Sequence, residues 1–176
     1  LHKKGPREDT VNYRNISLLD ILGKIYTSII TFRITRWAEV KGELVDEQNG
    51  FRAGRRPEDH VFALSELVRY RRRRRKSTFA AFVDLRKAYD TVFREGLLRL
   101  LHDKGIDGAM WCTLHALYSD VQSSLKLGDH FSDWFDVEQG LRQGDCLSPI
   151  LFDIYINSVA ERVKALGKGP TMTDTN

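Results

Sequence analysis

Cysteine, methionine and proline are scarce in this sequence: its 176 residues hold two cysteines, two methionines and four prolines. Cys112 and Cys146 have no ligand or redox spacing, which excludes a disulfide scaffold and a cysteine-built metal site. The expectation is two buried free thiols in a reducing, intracellular compartment, nucleus or cytoplasm. No apolar run reaches the roughly 18–20 residues that a membrane helix needs, so no membrane association is expected. Lys3 and Lys4 are not followed by the apolar core of a signal peptide. Internal repeats and a domain linker are also lacking. The sequence opens on Leu1 rather than Met and closes on the polar stretch Lys168 to Asn176, which reads as a piece of a longer protein.

What is present suffices for a core: 41% of the residues are hydrophobic and 10% aromatic, ordinary values for one globular domain. The net charge is +4, but its distribution is more informative. Arg69, Arg71, Arg72, Arg73, Arg74, Arg75 and Lys76 carry seven positive charges with no acid among them. The rest of the chain is slightly acidic. Such a cluster suits a nucleic-acid phosphate backbone or a nuclear import receptor, and equally a solvated helix end.

Along the chain, residues 1–15 read as polar and turn-rich. A helix is expected from Ser17 as N-cap to about Val40, with Leu18, Leu22, Ile25, Ile29 and Phe32 on one stripe. A long loop follows from Gly42 to Arg56. Pro57, with Glu58 and Asp59 behind it, opens a second helix that ends in the arginine run. Thr78 to Val83, apolar and bounded by charge, reads as a buried strand ending at Asp84. Leu97 to Leu101 marks a helix that stops near Gly105, and Ala109 to Tyr118 another, with Trp111, Leu114 and Leu117 as core candidates. Ser124–Leu127 and Trp134–Val137 flank Gly128-Asp129 as a hairpin. Ser148 and Pro149 begin a last helix, as N-cap and first turn, with Leu151, Tyr155, Val159 and Val163 on one stripe. This order predicts an α+β fold with helices against an antiparallel sheet.

The chemistry centres on Asp84. A carboxylate at the end of a buried strand is rigidly held, as metal-dependent phosphoryl transfer requires, but one aspartate cannot hold two Mg²⁺ ions. Asp90, six residues on, reads as a salt bridge or helix cap at least as readily as a metal ligand.

The wording around these residues is more specific. Phe82-Val83-Asp84-Leu85-Arg86-Lys87-Ala88-Tyr89-Asp90 resembles the first palm motif of reverse transcriptases from non-LTR retroelements and group II introns. Gly140-Leu141-Arg142-Gln143-Gly144-Asp145-Cys146-Leu147-Ser148-Pro149 resembles their second. Asn12-Tyr13-Arg14-Asn15-Ile16-Ser17-Leu18-Leu19 and Asp46-Glu47-Gln48-Asn49-Gly50-Phe51-Arg52-Ala53-Gly54-Arg55 resemble two segments of the fingers. Four motifs in the family's order make the match specific, and the wording is closer to non-LTR retrotransposons than to introns.

The resemblance implies a right-hand polymerase: fingers over 1–76, an incomplete palm over 77–166, and a disordered tail or truncation over 167–176. It implies RNA-directed DNA synthesis with Mg²⁺, an RNA template, a DNA primer and deoxynucleoside triphosphates (dNTPs). Asp84 would be the catalytic, metal-binding aspartate. Tyr89 stands where the family keeps a steric gate against the ribose 2′-hydroxyl, although a core aromatic would look the same. Arg14 would reach the triphosphate, and Gln143 and Gly144 would lie against the incoming nucleotide. Arg52 and Arg55 would touch template or primer backbone, or else form internal pairs. Departures are Asn15 and Ala53 in place of prolines, and Asp145-Cys146, which sets a carboxylate beside the nucleotide site. The third palm motif, a paired aspartate on a hairpin, has no match; Asp174 has neither partner acid nor flanking strands. The piece alone is therefore expected to be inactive, and the alternative reading is a non-catalytic, nucleic-acid-binding remnant or domesticated copy.

Overall fold

In the computed structural model, which describes residues 1–169, helix α1 (Ile21–Lys41) starts where the Asp20 carboxylate accepts from the Gly23 amide at 2.5 Å. It ends at Gly42, whose φ of 67° is a left-handed cap that glycine adopts without strain. Asp20, not Ser17, is the N-cap; Ser17 lies ahead of the helix, where its amide donates to the Gln143 carbonyl at 2.6 Å. α2 (Pro57–Arg73) opens as expected, with the Asp59 carboxylate accepting from the Arg56 amide at 3.0 Å. α3 (Arg94–Asp103) stops before Gly105, α4 runs over Gly108–Tyr118, and α5 over Leu147–Ala165.

Ser148 is not the cap of α5. The helix starts at Leu147, whose amide donates to the buried Asp145 carboxylate at 3.2 Å, while the Ser148 hydroxyl reaches back to the Arg142 carbonyl at 2.7 Å. Pro149 still falls in the first turn, where its missing N–H costs nothing.

The strands are short. β1 (Gln122–Ser123) pairs antiparallel with β4 (Phe135–Asp136), and β2 (Lys126–Leu127) with β3 (His130–Phe131). Together they make the hairpin expected around Gly128-Asp129, although its return strand begins at His130 rather than Trp134. Gly128 has a φ of 61° at the first central position, the pattern of a tight two-residue hairpin turn.

The fold is mixed α and β, but the helices pack on one another and not on a sheet. α1 lies against α5, and α3 joins α5 to α4. The core is Ile30, Ile34 and Ala38 of α1, Leu97 and Leu101 of α3, Leu114 and Tyr118 of α4, and Leu147, Ile150, Leu151 and Ile154 of α5, with Leu44, Val92, Ile106 and Leu141 between them.

Three further expectations are corrected. The stripe Leu18, Leu22, Ile25, Ile29 and Phe32 faces outward, each residue more than half exposed, and Val159 and Val163 of α5 are likewise exposed. α1 is apolar on both faces, so periodicity alone does not say which face meets α5. Thr78 to Val83 is irregular and exposed, with Phe79 96% and Val83 85% accessible, because no strand lies beside it among the described residues. Cys112 and Cys146 are free but exposed rather than buried.

Candidate functional site

The first and second motifs meet directly. A turn carries Lys87 to Thr91, and from it the Tyr89 carbonyl accepts from the Leu141 amide at 2.8 Å. One residue earlier, the Gly140 amide donates to the Val92 carbonyl at 2.9 Å. A Cβ at Gly140 would come within 2.9 Å of the Asp90 carbonyl oxygen, and φ there is 87°, so glycine is required twice over. The Tyr89 ring is half-buried and stands edge-on to Phe152 of α5, centroids 5.1 Å apart. Burial, and then the nearby Asp153 carboxylate, push its phenol above the usual tyrosine range.

The first fingers segment joins the same place. Beside the bond from Ser17 to Gln143, a Cβ at Gly144 would come within 2.8 Å of the Ser17 carbonyl, and φ at Gly144 is 109°. Backbone contacts thus join the turn of Tyr89, the stretch from Gly140 to Gly144 and Ser17, drawn from three separated segments, with Gly140 itself buried. Arg14 lies three residues before Ser17, exposed, and no ion pair holds its guanidinium among the described residues.

Asp84 does not join this cluster through any bond among the described residues. It is exposed, on the irregular segment that was expected to be a strand. Asp90 is half-buried and makes its contact through the backbone, against Gly140.

The arginines divide into three kinds. Arg52 is an internal brace, the internal pairing that was expected for it as the alternative to a contact with template or primer backbone. It is buried, its Nε and Nη2 grip both Glu39 oxygens at 2.8 and 2.7 Å, and its Nη1 donates to the carbonyls of Val45 and Gln48. That bond to Arg52 holds the Glu39 carboxyl below the usual range. Arg55 is half-buried and paired with Asp46 at 2.8 Å, so it too is engaged within the chain. In the basic cluster, Arg69 pairs with Glu66, Arg71 donates to the Ser77 carbonyl at 2.8 Å, and Arg74 stacks over Tyr70 at 4.3 Å. Arg72, Arg73, Arg75 and Lys76 are exposed. α2 buries none of its residues, so this cluster stands away from the core.

Two groups escape a reading of the sequence alone. Asp153 is 1% exposed in α5, accepts from the Gln48 amide nitrogen at 2.7 Å, and leaves its Oδ2 without a partner. Its neighbour one turn on, Asn157, accepts from the Val45 amide at 2.8 Å and donates to the Glu43 carbonyl at 2.9 Å. A lone acid in an otherwise apolar helical run was the available signal. The second group is Arg94, 7% exposed and facing backbone carbonyls, for which the sequence carries no signal at all.

In this mixed α+β arrangement the segments around Tyr89 and Gly140 are in contact. Residues 1–168 match the family described as reverse transcriptase (RNA-dependent DNA polymerase), and the chain is a member of it. Its relatives include a retrovirus-related Pol polyprotein from type-1 retrotransposable element R2 of Popillia japonica, 29% identical over 65% of this chain and 19% of that protein. The probable RNA-directed DNA polymerases from transposons X-element and BS of Drosophila melanogaster are 26% and 27% identical over 92% and 88% of this chain, and 18% and 17% of theirs. The chain thus spans less than a fifth of the length of these curated relatives.

The family generally uses divalent metal ions. Among the described residues no group of three or more histidine, cysteine or acidic side chains could hold one. One carboxylate at Asp84 cannot by itself hold two ions, so without such a group these residues do not make up a two-metal centre. Among the described residues, no helix is long and apolar enough to cross a membrane.

Proposed function

We propose that the chain forms the fingers, over 1–76, and part of the palm, over 77–166, of a right-hand RNA-directed DNA polymerase. In that reaction a primer 3′-hydroxyl attacks the α-phosphate of a dNTP and releases pyrophosphate on an RNA template. The expected tail, 167–176, lies outside the described residues from 170 onward. The observation that supports the reading is the backbone contact that joins the turn of Tyr89, the stretch from Gly140 to Gly144, and Ser17. Gly144, exposed and seated against the Ser17 carbonyl, contributes backbone to the nucleotide site, and Tyr89, its ring braced by Phe152, acts as the gate against a 2′-hydroxyl. Arg14 supplies forked donors to the triphosphate. Asp84 contributes one carboxylate toward Mg²⁺, with the backbone just after it helping to carry the second ion.

Primer extension by the longest reading frame that contains this chain tests the assignment. Asp84→Ala should abolish extension and leave template affinity within about twofold, because it removes a metal ligand and no phosphate contact. Extension retained by that variant would reject Asp84. Tyr89→Ala should admit ribonucleotides; discrimination equal to wild type would reject the gate.

A second reading, a non-catalytic nucleic-acid binder, is favoured by the exposed Arg72, Arg73, Arg75 and Lys76 on a helix without a packing partner. Salt-dependent RNA binding without extension would select it.

A further inference from the structure

Arg94 opens α3 with its side chain inside the protein, and among the described residues no carboxylate pairs with it. A buried guanidinium needs its donors satisfied, and here backbone carbonyls do so. Nε donates to the Gly140 carbonyl at 2.8 Å and Nη2 to Gln139 at 3.3 Å; Nη1 reaches the carbonyls of Val137 and of Tyr118, the latter at 3.4 Å. Three of the four acceptors lie in the stretch that leads into the second palm-type motif, and the fourth closes α4. The Tyr118 ring lies under the guanidinium, 5.5 Å from its centre. Burial works against the charge on Arg94, so the carbonyl dipoles must offset that cost.

We propose that Arg94 is a positioning residue that holds the loop from Gln139 to Gly144 in one conformation and thereby sets its affinity for the incoming dNTP. The inference rests on the reading of Gln143 and Gly144 as nucleotide-binding. Glycine at both 140 and 144 makes this loop the part of the site with the most conformations to lose on binding. Val137 to Gly140 is gripped from one side by Arg94. The amides of Gly140 and Leu141 are gripped from the other by the turn that carries Tyr89. A planar fork spans several carbonyls at once, which a lysine ammonium cannot do.

The test compares the longest reading frame that contains this chain, in its wild-type form, with its Arg94→Lys and Arg94→Gln variants by amide hydrogen exchange and by equilibrium binding of magnesium-dATP. Expected in at least one variant is about tenfold faster exchange at residues 139–144, with α5 core amides unchanged, the loss of hydrogen bonds to a charged group being of that size. The dATP affinity should fall about tenfold as well, and RNA affinity less than about twofold. Loop exchange equal to wild type overturns the proposal, as does faster exchange with unchanged dATP affinity. Loss of the helical signal in both variants also overturns it, since Arg94 would then serve folding in general. A wild-type chain that binds no dATP overturns the affinity claim together with the nucleotide-site reading, whereas bound dATP with unaltered affinity in the variants overturns this inference alone.

Discussion

Asp153 sets a pH dependence of stability through one side chain. Burial pushes its carboxyl up to about 7 from an ordinary 3.8, while the Gln48 bond and the Arg52 charge pull weakly the other way. Gln48 and Arg52 of the 43–56 loop and Tyr89 of the first-motif turn are the polar groups that face it. The native state therefore holds a proton that the unfolded chain releases above about pH 4. Stability falls as pH rises from about 4 to 7 and levels off beyond. Between pH 5 and 8 the loss is at most about 2–3 kcal/mol, from the 1.4 kcal/mol that each pH unit represents. Glu39, Asp46 and Glu47, whose carboxyls are held low by arginine or lysine partners, work in the opposite sense and only at more acid pH. Asp153→Asn, measured by urea unfolding at pH 5 and pH 8, should gain on the wild type at pH 8 and lose that advantage at pH 5. An equal difference at both pH values would show that the ionisation is not responsible.

At the scale of an element, α1 carries two apolar faces, and only one is used. Ile30 and Ile34 are buried at 4% and 1% against the core, whereas Leu22 and Phe32 are 78% and 67% exposed. Truncating a buried isoleucine removes packed surface and leaves a cavity, which costs about 2–5 kcal/mol. Truncating an exposed one stays within about 0.5 kcal/mol. Ile34→Ala should therefore lower the urea midpoint sharply and Leu22→Ala leave it in place. The reverse order would mean that the outward face is the packed one.

At the scale of the whole molecule, charge is segregated from packing. The core joins α1, α3, α4 and α5, and α2 carries the basic cluster outside it. Exposed cations on such a helix bind phosphate through counterion release and contribute little to the fold. Replacing Arg72, Arg73, Arg75 and Lys76 by Gln should weaken RNA binding, flatten its dependence on log salt by up to about four units, and leave the unfolding free energy within about 0.5 kcal/mol. Unaltered salt dependence would assign the cluster to another partner.

The amino-acid order by itself determined the family, the motif sequence, and most element starts and stops. Those features depend on contacts within a few residues: Pro57 and Asp59 at the head of α2, Gly42 and Gly105 past helix ends, Gly128 in the hairpin turn. Only the tertiary structure decided which face of α1 is buried, that Arg52 clamps Glu39, that Asp153 lies unexposed beside Gln48, and that Arg94 grips the loop before Gly144. It also decided that Thr78 to Val83 forms no strand among the described residues, since a strand requires a partner's hydrogen bonds. Burial and pairing are set by residues 13 to more than 100 positions away, and local pattern carries no information about which of two apolar faces, or which of many cations, will meet them.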